Sequence, residues 1–228
     1  MNADHEGLDQ LGGACAIKWL EASASLGPRR FFLMDGKWYE IGAQYVSGAR
    51  DEIGRLFAAA PTLDLPAWSL VDGGDEGDYN EFVPDARPGY LCLDCNKRVR
   101  DPLGPGRASL EICDLLGPDN ELIHVKRAKG SAPLSHLFSQ GLVSAQTLLT
   151  GPPEVKRRFT ETVAALPKGR ALPPDFVPKK VVYAILLENG HELTADTLFP
   201  FSQVTLAHAA RILQSYQIEV EVIGIPAA

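Results

Sequence analysis

The sequence predicts a fold of mixed α and β structure (α/β or α+β), in which helices flank a mixed central sheet. The 228-residue chain is 45% hydrophobic and 22% charged, which is typical of a globular protein with a substantial core. Apolar runs such as Val181 to Leu187 have the composition of buried strands. From residue 44 onward, hydrophobic spacing and turn residues give the order helix, three strands, helix, strand, helix, strand.

The N-terminal part begins with a hairpin. Asp35 and Gly36 separate two apolar and aromatic runs, residues 31–34 and 37–41, and this is a strong signal for a two-residue turn. A helix follows from about Gln44 to Ala59, and Pro61 ends it.

The sequence divides into three segments. Residues 1–60 form the N-terminal hairpin and helix, and residues 61–78, rich in Pro, Gly and Asp, form a linker loop. The rest of the chain, residues 79–228, is the α/β core. Its predicted strands and helices are Tyr90–Asp94, Ser109–Leu116, Glu121–Arg127, a helix from Pro133 to about Leu149, a short helix Glu154–Leu166, Val181–Leu187, a helix near Val204–Gln214, and Ile218–Ile225.

Charge and motifs exclude several classes of protein. The net charge of −7 argues against a protein that coats nucleic acid non-specifically, although a local basic groove remains compatible with it. No apolar run reaches the ~20 residues of a membrane span, and the polar N-terminus is not a secretory signal, so we expect a cytoplasmic protein. Phosphate-binding glycine loops, the serine elbow and the zinc-protease motif are absent from the sequence. Cys92 and Cys95, three apart in a predicted strand, are expected to be buried thiols.

The predicted hairpin of Ser109–Leu116 and Glu121–Arg127 carries polar groups on strands that are otherwise apolar. If the turn is centred on Pro118 and Asp119, Asp114 lies opposite His124. Because side chains alternate along a strand, we expect Asp114, His124 and Lys126 on one face, with Glu111 on the other unless a bulge re-aims it. Burying such groups is costly unless they are paired or functional. Either an Asp114–Lys126 ion pair or a catalytic or ligand-binding site would account for them.

The helix after this hairpin begins with polar residues near its N-terminus, an end that favours anions. Ser135, His136 and Gln140, together with the preceding Lys129, are candidates to hold a phosphate. His136 and Gln140 are four residues apart and therefore share a face. The alternative is that Ser135 is a cap and His136 an ordinary solvated histidine.

The order of the predicted elements resembles the core of the PD-(D/E)xK nucleases, which have a restriction-endonuclease-like fold. This order is helix, strand, strand with an acid, strand with x-x-Lys, helix and strand. The resemblance implies that Asp114 is the second-strand acid that holds Mg²⁺ or Mn²⁺, and that Lys126 orients or activates the attacking water and offsets developing charge. The position two before the lysine is His124 where that family has an acid. Imidazole suits Mn²⁺ or Zn²⁺ better than Mg²⁺, and Glu111 or Glu81 would supply the missing oxygen ligand.

Several stretches also resemble a sporadically distributed bacterial family of uncharacterised proteins found near restriction and phage-defence genes. The chain is similar to the C-terminal half of longer members, which implies a fragment or one product of a split gene. Defence against foreign DNA is the setting that this resemblance implies. The matching stretches are residues 34–40, Glu76 with Tyr79-Asn80, residues 110–116, residues 122–127, and residues 134–141 followed by Ser144-Ala145.

Two functional hypotheses follow. In the first, the core is a nuclease-like domain that acts on nucleic acid, expected to be DNA, with Mg²⁺ or Mn²⁺. Asp114, His124 and Lys126 would be catalytic. Asp114, Glu111 and His124 would bind the metal, and the substrate-binding residues would be Arg127, Lys129, Ser135, His136 and Gln140. In the second hypothesis, the chain is a non-catalytic sensor or adaptor in a defence system. It would bind nucleic acid or a partner protein, such as another subunit of a defence complex or a separate N-terminal half.

Overall fold

The computed structural model describes residues 22–34, 37–69, 74–94, 111–188 and 191–228. Over these residues the chain forms five helices, a mixed five-stranded sheet and an antiparallel three-stranded sheet, which confirms the predicted mixture of α and β structure. The chain divides into two compact units, Met1–Asp51 and Glu52–Ala228. In the described part of the chain, no helix combines the length and the apolar character that a membrane span requires.

The first unit contains the predicted hairpin. Strands β1 (Ala22–Leu26), β2 (Arg29–Met34) and β3 (Lys37–Ile41) form an antiparallel sheet in that order. The turn residues Asp35 and Gly36 lie outside the described residues. β1 is additional to the prediction, because its Ala and Ser residues lack the β-branched and aromatic side chains that mark a strand.

Helix α1 (Ala43–Ala58) confirms the helix predicted near Gln44–Ala59. A second helix, α2 (Glu76–Ala86), was not predicted. A capping box stabilises its start, because Asp75 accepts from the N–H of Asp78 while Asp78 accepts from the N–H of Asp75. Gly77 and Pro84 hide this helix from a reading based on propensity, and the capping box is the signal that would have found it.

The five-stranded sheet lies in the second unit. Its strands are β4 (Leu91–Cys92), β5 (Leu115–Leu116), β6 (Leu122–Ala128), β7 (Lys180–Leu187) and β8 (Glu219–Gly224), and they are neighbours in that order. β5 runs antiparallel to β4 and β6, whereas β6, β7 and β8 are parallel. Parallel neighbours need crossover connections, which here contain helices. These helices are α3 (Ser131–Thr150), α4 (Pro153–Ala165) and α5 (Pro200–Ser215).

One face of this sheet is covered by α2 and by part of the expected linker. Leu65 and Trp68 are buried in the same cluster as Tyr79 and Val83 of α2 and as Ile123 and Val125 of β6. Trp68 stacks on Tyr79 with ring centroids 4.4 Å apart. The N–H of Trp68 also donates to Pro226, so this segment is fixed to the end of the chain. Residues 61–69 therefore belong to the core despite their loop-like composition.

Helix α3 packs against β6 and β7, and α5 packs beside it. The approach is close at Gly141, where a Cβ would lie 2.7 Å from the ring of Tyr183. This spacing lets the Tyr183 hydroxyl donate to the Phe138 carbonyl at 3.0 Å. The predicted helix is two residues longer at its start than expected, so Pro133 lies inside the first turn.

The predicted hairpin forms, but its first strand is much shorter than expected. β5 contains two residues, and the described part of Ser109–Leu116 before it, residues 111–114, is not strand. The N–H groups of Leu93 and Asp94 both donate to the Asp114 carbonyl, at 2.8 and 3.1 Å. Two residues facing one is the pattern of a bulge, which ends regular pairing at this point.

Candidate metal centre

Asp114 lies where the sheet stops being a regular ladder. Its carboxylate Oδ2 accepts from the backbone N–H of Val125 at 2.6 Å. β5 pairs with β6 only at Leu115 and Leu116, so beyond them this edge of β6 has no strand partner among the described residues. The Asp114 side chain occupies that place, and it is only 8% exposed. The end of pairing therefore places a carboxylate on the edge of β6.

Two further acids meet Asp114 at this edge. One carboxylate oxygen from each of Asp94, Glu111 and Asp114 lies within 4.8 Å of the others. Asp94 follows β4, and Glu111 lies just before Asp114 on the segment that leads into β5. This cluster, named here the carboxylate cluster, contains two of the three predicted metal ligands and adds Asp94.

Helices on both sides of the sheet edge contact the carboxylate cluster. From α2, Asn80 Nδ2 donates to Asp94 Oδ2 at 2.9 Å. From α3, Gln140 Nε2 lies 3.4 Å from Glu111 Oε2, and Ser144 Oγ donates to the Glu111 carbonyl at 3.0 Å. The acids are therefore held by side chains from two helices as well as by the bulge.

Burial makes the Asp114 carboxyl a much weaker acid than an exposed aspartate. Burial and, to a smaller extent, the nearby carboxylates of Glu111, Asp94 and Glu76 together raise the pKa of the Asp114 carboxyl from 3.8 to about 8. The hydrogen bond from the Val125 N–H opposes the shift but does not cancel it. Protons or a cation would relieve the repulsion among these three acids, of which Asp114 is buried and Asp94 and Glu111 are half-buried.

Lys126 lies beside this cluster with a different partner from the one expected. Its Nζ contacts Glu76 Oε2 at 2.7 Å, and Glu76 Oε1 accepts from the N–H of Arg127 at 3.2 Å. Along the same edge of β6, Asp114 accepts from the N–H of Val125, and Glu76 accepts from the N–H of Arg127, two residues further on. Glu76 replaces Asp114 as the partner of Lys126.

His124 is outside the carboxylate cluster. It is fully buried, and neither ring nitrogen has a hydrogen-bond partner among the described residues. Its ring lies 6.2 Å from that of Tyr183, its neighbour on β7, and burial lowers the pKa of the imidazole to about 3. Of the three residues expected to converge, His124 therefore lies apart from Asp114, and Lys126 contacts Glu76 rather than Asp114.

The residues expected to hold phosphate are not gathered into one site. Arg127 and Lys129 both form ion pairs with Glu188, at 3.2 and 2.8 Å. Ser135 lies in the second turn of α3 rather than at its cap, and its hydroxyl is 3.3 Å from that of Thr205. His136 is exposed. Of the five candidates, only Gln140 reaches the carboxylate cluster.

Three residues of the site were missed by sequence reasoning: Asp94, Asn80 and Glu76. Asp94 was assigned only as the end of a strand. The start of α2 at the capping box would have placed Glu76 and Asn80, four residues apart, on one helix face. Glu81, the alternative oxygen ligand, is exposed on α2 and outside the cluster. Cys92, expected to be buried, is half-buried, and Cys95 lies outside the described residues.

Comparisons with known proteins give a family without an activity. No curated protein and no solved structure matches the chain. Residues 2–226 match the sequence profile of a family of unknown function, DUF6119. Because this match covers nearly the whole sequence, the chain belongs to the DUF6119 family.

Proposed function

We propose that this chain is a nuclease-like domain that cleaves phosphodiester bonds of nucleic acid with a divalent metal, in bacterial defence against foreign DNA. The observation that carries the proposal is the carboxylate cluster at the edge of β6. Lys126 lies on the same strand, directly after Val125, whose N–H donates to Asp114. A bound Mg²⁺ or Mn²⁺ would supply Lewis acidity and a more acidic water.

The donor set of the carboxylate cluster fits these cations. Asp94, Glu111 and Asp114 offer oxygen ligands, which Mg²⁺ and Mn²⁺ prefer over nitrogen or sulfur. Asp114 supports the assignment further, since its raised pKa reflects repulsion and burial that a cation would offset. His124, which the sequence suggested as the third metal ligand, is outside this ligand set, and Asp94 is proposed as the third ligand instead.

Lys126 is the residue proposed to contact the scissile phosphate. Its ammonium group is held by Glu76 and its side chain keeps 28% of its surface exposed, so the charge is accessible. An ammonium near a phosphate binds it and offsets negative charge as the bond breaks. Lys129 and His136 are exposed close to the start of α3 and are proposed to contact the nucleic acid backbone.

A second candidate function is a non-catalytic sensor or adaptor of a defence system. The observation that favours it is His124, a buried neutral side chain at the position where the PD-(D/E)xK pattern has an acid. In this case the chain would bind nucleic acid or a partner protein without cutting.

A cleavage assay separates the two candidates. Wild type, Asp114→Asn and Lys126→Ala are compared on DNA and RNA with Mg²⁺ and with Mn²⁺. The exposed Asp175→Asn is the matched control, because it removes an acid outside the site. We expect wild type and Asp175→Asn to cleave, and each site variant to lose on the order of 100-fold or more in rate.

If wild type binds nucleic acid but cleaves it neither with Mg²⁺ nor with Mn²⁺, the nuclease proposal is rejected and the adaptor proposal is supported. Equal cleavage by wild type and both site variants would reject this site.

A further inference from the structure

Asn80 is a buried amide in which only one of the two polar side-chain atoms has a hydrogen-bond partner among the described residues. The residue is 1% exposed, and its Nδ2 donates to Asp94 Oδ2 at 2.9 Å. Its Oδ1 is also buried and accepts no hydrogen bond from the described residues. Leaving a buried acceptor unsatisfied destabilises the fold, so such an atom calls for a ligand.

The orientation of this amide is fixed by its surroundings. The carboxylate of Asp94 accepts hydrogen bonds, so the Nδ2 end of Asn80 must face it. On one side of Asn80 in the chain, Tyr79 stacks on Trp68, and one turn later Val83 is fully buried. The helix that carries Asn80 is therefore anchored in the core, and the amide oxygen stays close to the acid that its own nitrogen contacts.

We infer that Asn80 Oδ1 is a fourth oxygen ligand of a divalent cation held by Asp94, Glu111 and Asp114. The inference rests on the metal centre of the proposed function but not on cleavage. Three carboxylates already exceed the charge of a divalent cation, so a neutral amide oxygen adds a ligand without adding repulsion. A set made only of oxygen donors favours Mg²⁺ or Mn²⁺ over Zn²⁺.

Two substitutions distinguish a ligand from a residue that merely positions Asp94. Asn80→Ala removes both the oxygen and the N–H donor. Asn80→Asp keeps an oxygen at the same place but removes the donor to Asp94. A ligand role predicts that Asp restores cation binding lost in Ala, whereas a positioning role predicts that both variants are weak.

The experiment is a Mn²⁺ titration of the full, metal-free chain, with free Mn²⁺ followed by electron paramagnetic resonance. We expect Asn80→Ala to weaken Mn²⁺ affinity roughly tenfold, and Asn80→Asp, which keeps an oxygen but adds repulsion, to bind more tightly than Asn80→Ala. Asp175→Asn is again the control. Circular dichroism of each variant checks the fold, and Asn80→Ser replaces Asn80→Ala if the latter does not fold.

Unchanged affinity in Asn80→Ala, or equal weakening in Asn80→Ala and Asn80→Asp, would overturn the ligand role. Mn²⁺ binding by wild type without any cleavage would reject the nuclease proposal and leave this inference standing. Failure of wild type to bind Mn²⁺ would overturn the inference together with the metal centre.

Discussion

Asp114 shows how a single residue acquires its chemistry from the ladder around it. As an exposed side chain it would be an ordinary acid, but the end of β5 places it against the Val125 N–H inside the protein. The sequence identified Asp114 and its register opposite His124, since Leu115 does pair with Ile123. It did not identify the bulge, which depends on Leu93 and Asp94, distant in sequence.

The pKa of Asp114 predicts a dependence of stability on pH in the metal-free protein. The native carboxyl has a pKa of about 8 against 3.8 when exposed, so between these values the folded state keeps a proton that the unfolded state releases. The free energy of unfolding therefore falls as pH rises from about 4 to about 8. Asp114→Asn removes this titration and should be a few kcal/mol more stable than wild type at pH 8, with little difference at pH 4.

Urea unfolding in the presence of a chelator measures this difference. A wild type that is as stable as Asp114→Asn at pH 8 would show that the carboxyl is not buried as described.

His124 predicts the opposite dependence on pH. The buried imidazole has a pKa of about 3, below the usual 6.5, so its stabilising contribution is present above pH 6.5 and is lost as pH falls towards 3. His124→Leu removes this titration and two unsatisfied nitrogens, and it should exceed wild type in stability by about 2 kcal/mol more at pH 5 than at pH 7.

Mn²⁺ affinity provides the second measurement on His124→Leu. We expect it to match wild type, because the imidazole is outside the carboxylate cluster. A large loss of affinity would restore the original assignment of His124 as a metal ligand.

At the scale of elements, α2 joins the core to the site. Tyr79 and Val83 face the sheet, while Glu76 and Asn80 contact Lys126 and Asp94. Trp68, from the expected linker, supports the helix by stacking on Tyr79. We therefore expect packing under α2 to affect the site that the helix serves.

Trp68→Ala tests this connection. Loss of a buried Trp should cost about 3–5 kcal/mol of stability, and the loosened helix should also weaken Mn²⁺ binding. Trp68→Phe keeps an aromatic ring for Tyr79 and should lose less of both. Thermal unfolding and Mn²⁺ titration measure the two effects. If Trp68→Ala is destabilised but folded and binds Mn²⁺ as tightly as wild type, packing under α2 does not affect the site.

The elements that sequence predicted well are those with strong apolar patterns. β6, β7, β8, α3 and α4 lie within two residues of their expected bounds, because each buries a regular set of apolar side chains, whereas α5 begins four residues earlier than expected. α2 was missed because Gly77 and Pro84 mask its short apolar pattern. The lengths of β4 and β5 depend on pairing between distant segments, and the propensity of a single strand contains no information about that pairing.

At the scale of the whole molecule, the mixed sheet brings acids from two separate parts of the chain, and an amide from a third, to one edge. Asp94 and Asp114 flank a long intervening segment, and Asn80 comes from a helix before both. The sequence located Asp114, Glu111 and Lys126, but Asp94 and Asn80 required the tertiary fold. The acidic net charge of −7 also fits a chain whose contact with nucleic acid would be local rather than spread over its surface.

Anomalous diffraction from crystals of the full chain soaked in Mn²⁺ would show whether the carboxylate cluster is a divalent-cation centre. We expect an anomalous peak within about 2.0–2.6 Å of oxygens from Asp94, Glu111 and Asp114. A Mn²⁺ peak at His124, or Mn²⁺ bound elsewhere with none at these three acids, would contradict it.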